Sequence, residues 1–393
     1  PNSYLTAIDL RSEEVKISFP ELAFAVSNLA DELVASGFQA GFRIGLSLGN
    51  CFEFILWDLA VLKLGGVLQV FPEGYQPSIR ELNDSRIQLW IHSGAINTEG
   101  ALGKVVNIAN DSSIPPLKRG EIDFNPNRHS MVYSSGTSGY LKGLSISRLG
   151  TEKLISDFLQ SFPLSENDRH LIFLPLSNYQ QRLSVWACLH QGVDIYLTEY
   201  TQVFRDLKNA QPTFIIAPPV IYENIYQLFA KQADCQRQVS EFLGGRMRFM
   251  ITGMAPIKHS LLKAFNEQIG ICLLEAYGVT ETGMIAWNTA EHNRPGTVGK
   301  AVHPDEVIIT DEGELRVKRK HPLCMGYFQA DKEDAEKTFL SSGQIATGDI
   351  ASIDDDGYIT LLGRKKDIVV TNAGIKFHPC LLYTSPSPRD SDQ

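Results

Sequence analysis

Residues 43–71 read RIGLSLGNCFEFILWDLAVLKLGGVLQVF, and this segment is the most informative about the fold. Its first six residues form a short apolar run of the kind found in buried strands. Apolar side chains then recur at helical spacing before a Gly-Gly pair, at Phe52, Ile55, Leu59 and Leu62. A second apolar run, Val67–Phe71, follows directly. This strand–helix–strand order with short connections predicts two parallel strands beneath a covering helix.

The same alternation continues on both sides of this segment. Upstream, Phe19-Pro20-Glu21 opens a helix that Gly37 ends, with apolar residues at Leu22, Val26, Leu29 and Leu33. Downstream, further runs predict strands at Leu171–Leu174, Asp194–Leu197, Thr213–Ala217, Arg248–Ile251 and Ile271–Leu274. From Thr297 to Leu362, short alternating runs indicate antiparallel sheet or a small barrel. The predicted fold class is α/β, with helix-covered, mostly parallel sheets followed by a β-rich subdomain.

The composition is that of an ordinary folded protein and excludes several classes. The chain has 393 residues, 43% hydrophobic and 21% charged, so it is long enough for a large core. Its net charge of −9 argues against bulk nucleic-acid binding but leaves room for peripheral contact with a membrane. No apolar run approaches the ~20 residues of a transmembrane helix. The six cysteines form no CxxC pair, which indicates a reducing compartment, and we expect the cytoplasm.

The segment YSSGTSGYLKG, residues 133–143, has the composition that a polyphosphate requires. Its glycines let successive backbone N–H groups turn inward, the Ser and Thr hydroxyls add donors, and Lys142 adds a mobile cation. It is not a Walker A loop, because Leu141 stands where that motif has glycine and Gly143 follows the lysine. Considered alone, the segment also fits a flexible surface loop.

Two later groups carry complementary chemistry. EAYGVTETG, residues 275–283, follows a predicted strand, and the ends of parallel strands are where α/β sheets bind ligands. An aromatic ring there can stack on a base, a hydroxyl can bond a phosphate and a carboxylate can hold Mg²⁺. An ordinary strand-to-helix turn is the alternative. The third group is ATGD, residues 346–349, with GRKKD, residues 363–367, in which Asp beside Gly suits the paired hydroxyls of a ribose.

In this order, the three groups resemble the adenylate-forming superfamily of acyl-CoA synthetases, nonribosomal peptide adenylation domains and beetle luciferases. The resemblance runs from about Phe19 to Pro379. It implies the use of ATP, Mg²⁺ and CoA: a carboxylic acid is first joined to AMP with release of pyrophosphate, and the acyl group then passes to CoA.

The resemblance also assigns roles to matching residues. The ATP phosphates would be held by Ser134, Ser135, Gly136, Thr137, Ser138, Gly139 and Lys142. Thr280 would contact the α-phosphate and Glu281 would bind Mg²⁺; with Lys142, they would be the catalytic residues. Tyr277 would stack on adenine in a pocket lined by Gly253, Ala255 and Pro256. Asp349 would bond the ribose hydroxyls with help from Arg364, and Lys366 would be an interdomain hinge.

On this basis, residues 1–295 would form the nucleotide- and acyl-binding α/β subdomains, and residues 296–366 the β-rich subdomain up to the hinge. Residues 367–380 would begin a C-terminal domain that is cut short, and residues 381–393 would be a non-native or disordered tail. The N-terminus would be incomplete, since the chain starts at Pro1 without Met. The catalytic lysine that the family carries in its C-terminal domain would be missing, so we expect the chain as given to make almost no acyl-CoA.

Two stretches resemble long-chain fatty acyl-CoA synthetases in particular: LPLSNYQQR, residues 174–182, and PTFIIAPPVIYENIY, residues 212–226. Asn178 replaces their usual His, Gln181 their usual Glu, and Leu141 the usual Pro of the phosphate loop. We expect a carboxylic acid substrate, with a fatty acid favoured, and chain length stays open. The alternatives are an adenylation domain that loads a carrier protein and an inert nucleotide-binding relative.

Overall fold

A computed structural model describes residues 3–72, 77–94, 101–109, 113–117, 122, 124–135, 141–232, 234–328, 332–367, 369–370 and 376–377. The chain divides into two compact units. The first is Pro1–Thr213 with Leu323–Ala330, and the second is Phe214–Pro322 with Asp331–Gln393. The boundary predicted after residue 295 was based on a change in the local sequence pattern, and this position lies within the second unit. The four predicted domain spans stay predictions.

Strands and helices alternate through most of the described chain. The strands are β1 (Tyr4–Ile8), β2 (Glu14–Ser18), β3 (Arg43–Ser47), β4 (Val67–Val70), β5 (Leu89–His92), β6 (Lys104–Asn107), β7 (Arg128–Ser135), β8 (Leu141–Ser147), β9 (Arg169–Ile172), β10 (Asp194–Leu197), β11 (Phe214–Ala217), β12 (Phe249–Thr252), β13 (Cys272–Val279), β14 (Gly283–Trp287), β15 (Lys300–Ala301), β16 (Val307–Ile309), β17 (Glu314–Val317), β18 (Cys324–Phe328), β19 (Ile345–Ile353), β20 (Ile359–Arg364), β21 (Val369–Val370) and β22 (Lys376–Phe377). The helices are α1 (Phe19–Ala35), α2 (Phe52–Lys63), α3 (Ile79–Asp84), α4 (Arg148–Ser161), α5 (Tyr179–Gln191), α6 (Val203–Ala210), α7 (Pro219–Phe229), α8 (Cys235–Phe242), α9 (His259–Lys263) and α10 (Lys332–Thr338). A π-helical turn, Ala264–Ile269, continues α9.

The first unit is built on two sheets. One has the order β18-β8-β7-β4-β3-β5-β6, in which β3 pairs in parallel with both β4 and β5, as the strand–helix–strand pattern predicts. In the other, β9, β10 and β1 are parallel and β2 is antiparallel to β1. Within the described residues, no helix is both long and apolar enough to cross a membrane.

The second unit combines parallel and antiparallel pairing. Strands β11, β12 and β13 are parallel, whereas β13, β14 and β15 pair antiparallel. Strands β16, β17, β19 and β20 form a separate antiparallel sheet. The predicted α/β class with a following β-rich part is therefore confirmed.

Helix α1 shows how local sequence fixes an element. The Ser18 hydroxyl accepts the Glu21 N–H, while the Glu21 carboxylate accepts the Ser18 N–H at 2.9 Å. This reciprocal cap satisfies donors that the first helical turn leaves unpaired. Leu22, Val26, Leu29 and Leu33 are buried as predicted, and the positive φ of Gly37 lets the chain leave the helix.

Candidate functional site

The motif at residues 275–283 lies on a β-hairpin rather than a strand-to-helix turn. Strand β13 pairs in parallel with β12 as far as Glu275 and then antiparallel with β14 from Ala276. The Thr282 N–H donates to the Val279 carbonyl at 3.1 Å, and Gly283 has a φ of 71°. A three-residue connection followed by a left-handed Gly is a common hairpin geometry. Thr280 and Glu281, both half-buried, therefore lie in a tight turn.

Tyr277, Asp349 and Arg364 lie together in the second unit, although they come from different segments. The Tyr277 hydroxyl donates to Asp349 Oδ2 at 2.5 Å, and Arg364 Nε lies 2.8 Å from Asp349 Oδ1. Asp349 and Arg364 are register partners on β19 and β20. Both Tyr277 and Asp349 are buried, whereas half of the Arg364 side chain is exposed.

Opposing electrostatic effects act on the Asp349 carboxyl, and the Tyr277 phenol beside it stays protonated. Burial raises the pKa of Asp349, and the Tyr277 hydroxyl and the Arg364 charge lower it in part. Burial and the Asp349 charge raise the pKa of Tyr277, so its hydroxyl keeps the proton that it donates. The Asp349 carboxyl is therefore held at a defined point, with the half-exposed Arg364 guanidinium beside it.

A bulge in β19 aims Asp349 at this point. Glu314 lies opposite Ile350 and Arg316 opposite Ala346, so Thr347–Asp349 face the single residue Leu315. The Thr347 hydroxyl donates to the Leu315 carbonyl at 2.7 Å and accepts the Asp349 N–H at 3.1 Å. Gly348 has a φ of 72°, which Gly adopts without strain. Bulges redirect side chains in this way, and the Thr-Gly-Asp sequence supplies what this one needs.

Gly253 brings the end of β12 close to the backbone that precedes Tyr277. A Cβ at this position would lie 3.0 Å from the Ala276 carbonyl oxygen, closer than most real side chains come. Ala255 and Pro256, three and four residues beyond β12, are exposed. The structure thus places the Gly253 segment next to β13, as a shared pocket requires, and their role as its lining stays a prediction.

Sequence reasoning passed over Glu275, which begins the motif. Its Oε2 accepts the Gly296 N–H at 2.9 Å, and burial raises its pKa to about 7. It pairs in register with Thr252, whose hydroxyl is buried and has no hydrogen-bond partner among the described residues. The sequence signal for Glu275 was a carboxylate at the end of the apolar run ICLLE, residues 271–275.

The predicted phosphate-binding residues belong to the first unit. Ser134 and Ser135 end β7, and Leu141 and Lys142 begin β8, with Ser134 opposite Lys142 and Ser135 opposite Leu141. The segment is thus framed by an antiparallel strand pair. The remaining loop predictions, Gly136, Thr137, Ser138 and Gly139, lie outside the described residues.

The hinge candidate Lys366 is exposed in the 3₁₀ turn Lys365–Asp367. Its neighbour Lys365 is tied to the β-rich sheet, with Nζ 3.0 Å from Glu312 and 3.5 Å from Glu314. Among the described residues, no group of three or more His, Cys, Asp or Glu side chains could hold a metal ion. A cation at Glu281 would therefore need ligands from a bound molecule or water.

Comparison with known proteins places these features in context. Residues 3–326 match the family described as AMP-binding enzyme. The chain is 26% identical to the long-chain-fatty-acid–CoA ligase FadD15 of Mycobacterium bovis, over 93% of this chain and 72% of that ligase. It is 24% identical to an oxalate–CoA ligase of Arabidopsis thaliana, over 95% of this chain and 80% of that one. ATP-bound MatB from Rhodopseudomonas palustris has the same fold, with a TM-score of 0.78 at 23% identity over 97% of this chain and 79% of MatB.

Proposed function

This chain belongs to the AMP-binding enzyme family, and we propose that its protein joins a carboxylic acid to AMP from ATP and then transfers the acyl group to CoA; the expectation that the chain as given makes almost no acyl-CoA stays a prediction. The observation that carries the proposal is the buried Asp349 carboxylate, aimed by a bulge and hydrogen-bonded by Tyr277 and Arg364. Each carboxylate oxygen can accept more than one hydrogen bond, so Asp349 retains capacity for two ribose hydroxyls.

The adenylation step would depend on the hairpin turn and the phosphate loop. A carboxylate attacks the α-phosphorus and pyrophosphate leaves, while negative charge builds on the phosphate oxygens. Thr280 would hold the α-phosphate by its hydroxyl, and Lys142 would add positive charge. Groups already fixed before the reaction stabilise such charge most effectively, because they need no reorganisation.

The donor set at the turn fits Mg²⁺ delivered with ATP. Glu281 offers a single carboxylate, and Mg²⁺ commonly takes one or two protein carboxylates, with phosphate oxygens and waters completing its six ligands. When bound, the ion would neutralise phosphate charge. In the second step the CoA thiol would attack the acyl carbonyl and AMP would leave, with no side chain acting as a nucleophile.

We propose a fatty acid as the substrate and fatty acid metabolism as its setting. The support is the pair of stretches at residues 174–182 and 212–226, together with the similarity to the long-chain-fatty-acid–CoA ligase FadD15. Asn178 caps α5 by accepting the Gln180 N–H at 3.1 Å, and Gln181 is fully buried. Helix α5 therefore forms with both of these replacements in the sequence. The similarity to an oxalate–CoA ligase makes short dicarboxylic acids the alternative substrate class. None of the five described cysteines forms a disulfide, which supports the proposal that the protein lies in the cytoplasm.

The nucleotide site is tested by calorimetry with AMP. Asp349→Asn keeps the shape of the side chain but removes the charge that would accept both ribose hydroxyls. We expect AMP affinity to fall by about 10- to 150-fold, the equivalent of 1.5–3 kcal/mol for hydrogen bonds to a charged group. Asp356→Asn, at an exposed carboxylate of the same unit, is the matched control. Equal affinity for Asp349→Asn and the unaltered chain would remove Asp349 from the site.

The reaction is tested by pyrophosphate exchange with a panel of acids: acetate, oxalate, octanoate and palmitate. We expect exchange to increase with chain length until the acyl chain fills its binding site, since each buried methylene contributes up to ~0.8 kcal/mol. A maximum at oxalate would replace the fatty acid by a short dicarboxylic acid. Binding of AMP without exchange for any acid would favour an inert relative.

A further inference from the structure

Arg319 lies against the hairpin turn that carries Thr280 and Glu281. It follows β17 by two residues, and only 6% of its side chain is exposed. Its Nε donates to the Thr282 carbonyl at 3.1 Å, and its Nη2 donates to the Met284 carbonyl. These acceptors flank Gly283, the left-handed residue that closes the turn. The buried Arg319 guanidinium therefore bonds two backbone carbonyls where the turn leads into β14.

Glu306 holds the guanidinium in place from the opposite side. Its Oε2 lies 2.8 Å from Arg319 Nη1, and its Oε1 accepts the Lys320 N–H at 3.2 Å. The Glu306 backbone carbonyl also accepts the Lys318 N–H at 2.8 Å. Glu306 thus bonds the residues on both sides of Arg319 as well as Arg319 itself. The direction in which the guanidinium points is fixed before any ligand binds.

The turn is short, and one residue makes the hydrogen bonds that close it. Three residues connect β13 to β14, and the register of this pair shifts between Tyr277 and Gly278. Within the turn, Thr282 makes the bonds that close it, to the Val279 and Gly283 carbonyls. A shift of Thr282 therefore carries Glu281 and Thr280 with it, and Arg319 bonds the Thr282 carbonyl from the segment that follows β17.

We propose that Arg319 is a positioning residue for adenylate formation. By holding the Thr282 and Met284 carbonyls, it sets where the Thr280 hydroxyl and the Glu281 carboxylate meet the α-phosphate and its cation. The assignment rests on the proposed function of that turn. Arg319 itself touches no reacting atom in this scheme.

The test compares Arg319→Met and Arg319→Lys with the unaltered chain. Hydrogen–deuterium exchange of residues 276–287 reports on the turn directly, without ATP or Mg²⁺. We expect faster amide exchange there in Arg319→Met. We also expect pyrophosphate exchange to slow by about 10- to 100-fold, as for a misplacement of about 1 Å, with AMP affinity within twofold of normal. Arg319→Lys keeps the positive charge but loses the forked arrangement of guanidinium donors. This variant should recover part of the rate of pyrophosphate exchange.

Arg294→Met is the matched control. Arg294 also ties two segments of the second unit together, through Asp354 at 2.5 Å and Asp356 at 2.7 Å, but it does not bond the turn. Its loss should leave pyrophosphate exchange unchanged. Arg319→Met with normal amide exchange at the turn, or with a normal rate, would overturn the proposal, and so would a fall in AMP affinity equal to the fall in rate.

Two further outcomes have different consequences for the role of Arg319. If Arg319→Met does not fold, Arg319→Lys decides the matter, because a single ammonium cannot reach all three acceptors; a normal rate in that variant would count against the proposal. If the unaltered chain exchanges no pyrophosphate while Arg319→Met still loosens the turn, the proposed function fails and Arg319 is only a structural clamp.

Discussion

At the scale of single residues, the hydrogen bond between Tyr277 and Asp349 leads to a prediction about the pH dependence of AMP binding. Tyr277→Phe keeps the ring but removes the hydroxyl that lowers the pKa of Asp349, so this pKa should rise further. Because ribose binding needs the ionised carboxylate, AMP affinity should be lost at a higher pH than in the unaltered chain. Calorimetric titrations with AMP between pH 4.5 and 8 measure the midpoint.

Tyr358→Phe is the control for this experiment, since Tyr358 is a buried tyrosine of the same unit that faces Arg294 instead. An unchanged midpoint in Tyr277→Phe would mean that the hydroxyl does not support the charge on Asp349.

The residues that sequence patterns identified were those whose chemistry is local. Tyr277, Asp349 and Arg364 each stand in a recognisable short motif, and the structure brings them together. Arg319 stands in no such motif, and its partners lie 13 to 37 residues away along the chain. Its contribution depends on which backbone carbonyls a fold leaves facing it, and a linear pattern does not contain that information.

At the scale of elements, Glu275 near the middle of β13 predicts a pH dependence of stability. Its ordinary pKa is 4.5, and burial raises it to about 7 in the folded protein. Between these values the folded state keeps a proton that the unfolded state has released. The free energy of unfolding should therefore fall by about 1.4 kcal/mol per pH unit from this group, with its full contribution below pH 4.5 and none above about pH 7.

Glu275→Gln cannot ionise and still offers an oxygen to the Gly296 N–H, so it should remove this part of the decline. Urea unfolding at pH 5, 6, 7 and 8 gives the difference between the two proteins. Glu267→Gln, at an exposed carboxylate of the same unit, controls for the loss of a charge. Parallel curves for Glu275→Gln and the unaltered chain would contradict the assignment.

Elements defined by their own caps and periods were predictable, and those shaped by neighbours were not. Helix α1 follows its capping box and apolar spacing. The helix predicted from Phe52, Ile55, Leu59 and Leu62 is present as α2, but only Ile55 of these four is fully buried and the others are half-buried. Phe54, Trp57 and Asp58, outside the predicted spacing, are buried as well. Helix α2 packs against both α1 and β4, so burial covers more than one face. Strand β13 continues past its predicted end because β14 replaces β12 as its partner.

At the scale of the whole molecule, alternation of strands and helices predicted the class but not the long-range pairings. Strand β18 pairs with β8 in the first unit although some 180 residues separate them. No local sequence period encodes such a long-range strand pairing. The pairing depends on the free energy gained when an edge strand of a sheet acquires a partner. The same limit applies to buried polar contacts between distant helices, where each partner appears in the sequence as an ordinary surface residue.

The clearest such contact joins α2 and α5 in the first unit. Arg182 Nη2 lies 2.6 Å from Asp58 Oδ1, its Nη1 donates to Ser130 Oγ at 2.7 Å, and 1% of the Arg182 side chain is exposed. Removing one partner of a buried ion pair leaves an uncompensated charge and costs about 3–5 kcal/mol. Asp58→Asn should therefore lower the free energy of unfolding of the first unit by this amount.

The tryptophans allow this unit to be followed separately. Trp57, Trp90 and Trp186 lie in the first unit and Trp287 in the second, so Trp287→Phe leaves fluorescence that reports on the first unit alone. Urea unfolding in that background should show the loss for Asp58→Asn and a change below about 0.5 kcal/mol for Glu152→Ala, which removes an exposed helical pair. The double variant Asp58→Leu with Arg182→Met should recover most of the stability, because apolar side chains leave no buried charge. If Asp58→Asn unfolds at the same urea concentration as its parent, the pair contributes packing without electrostatic stabilisation, and water must reach Arg182 in the folded state.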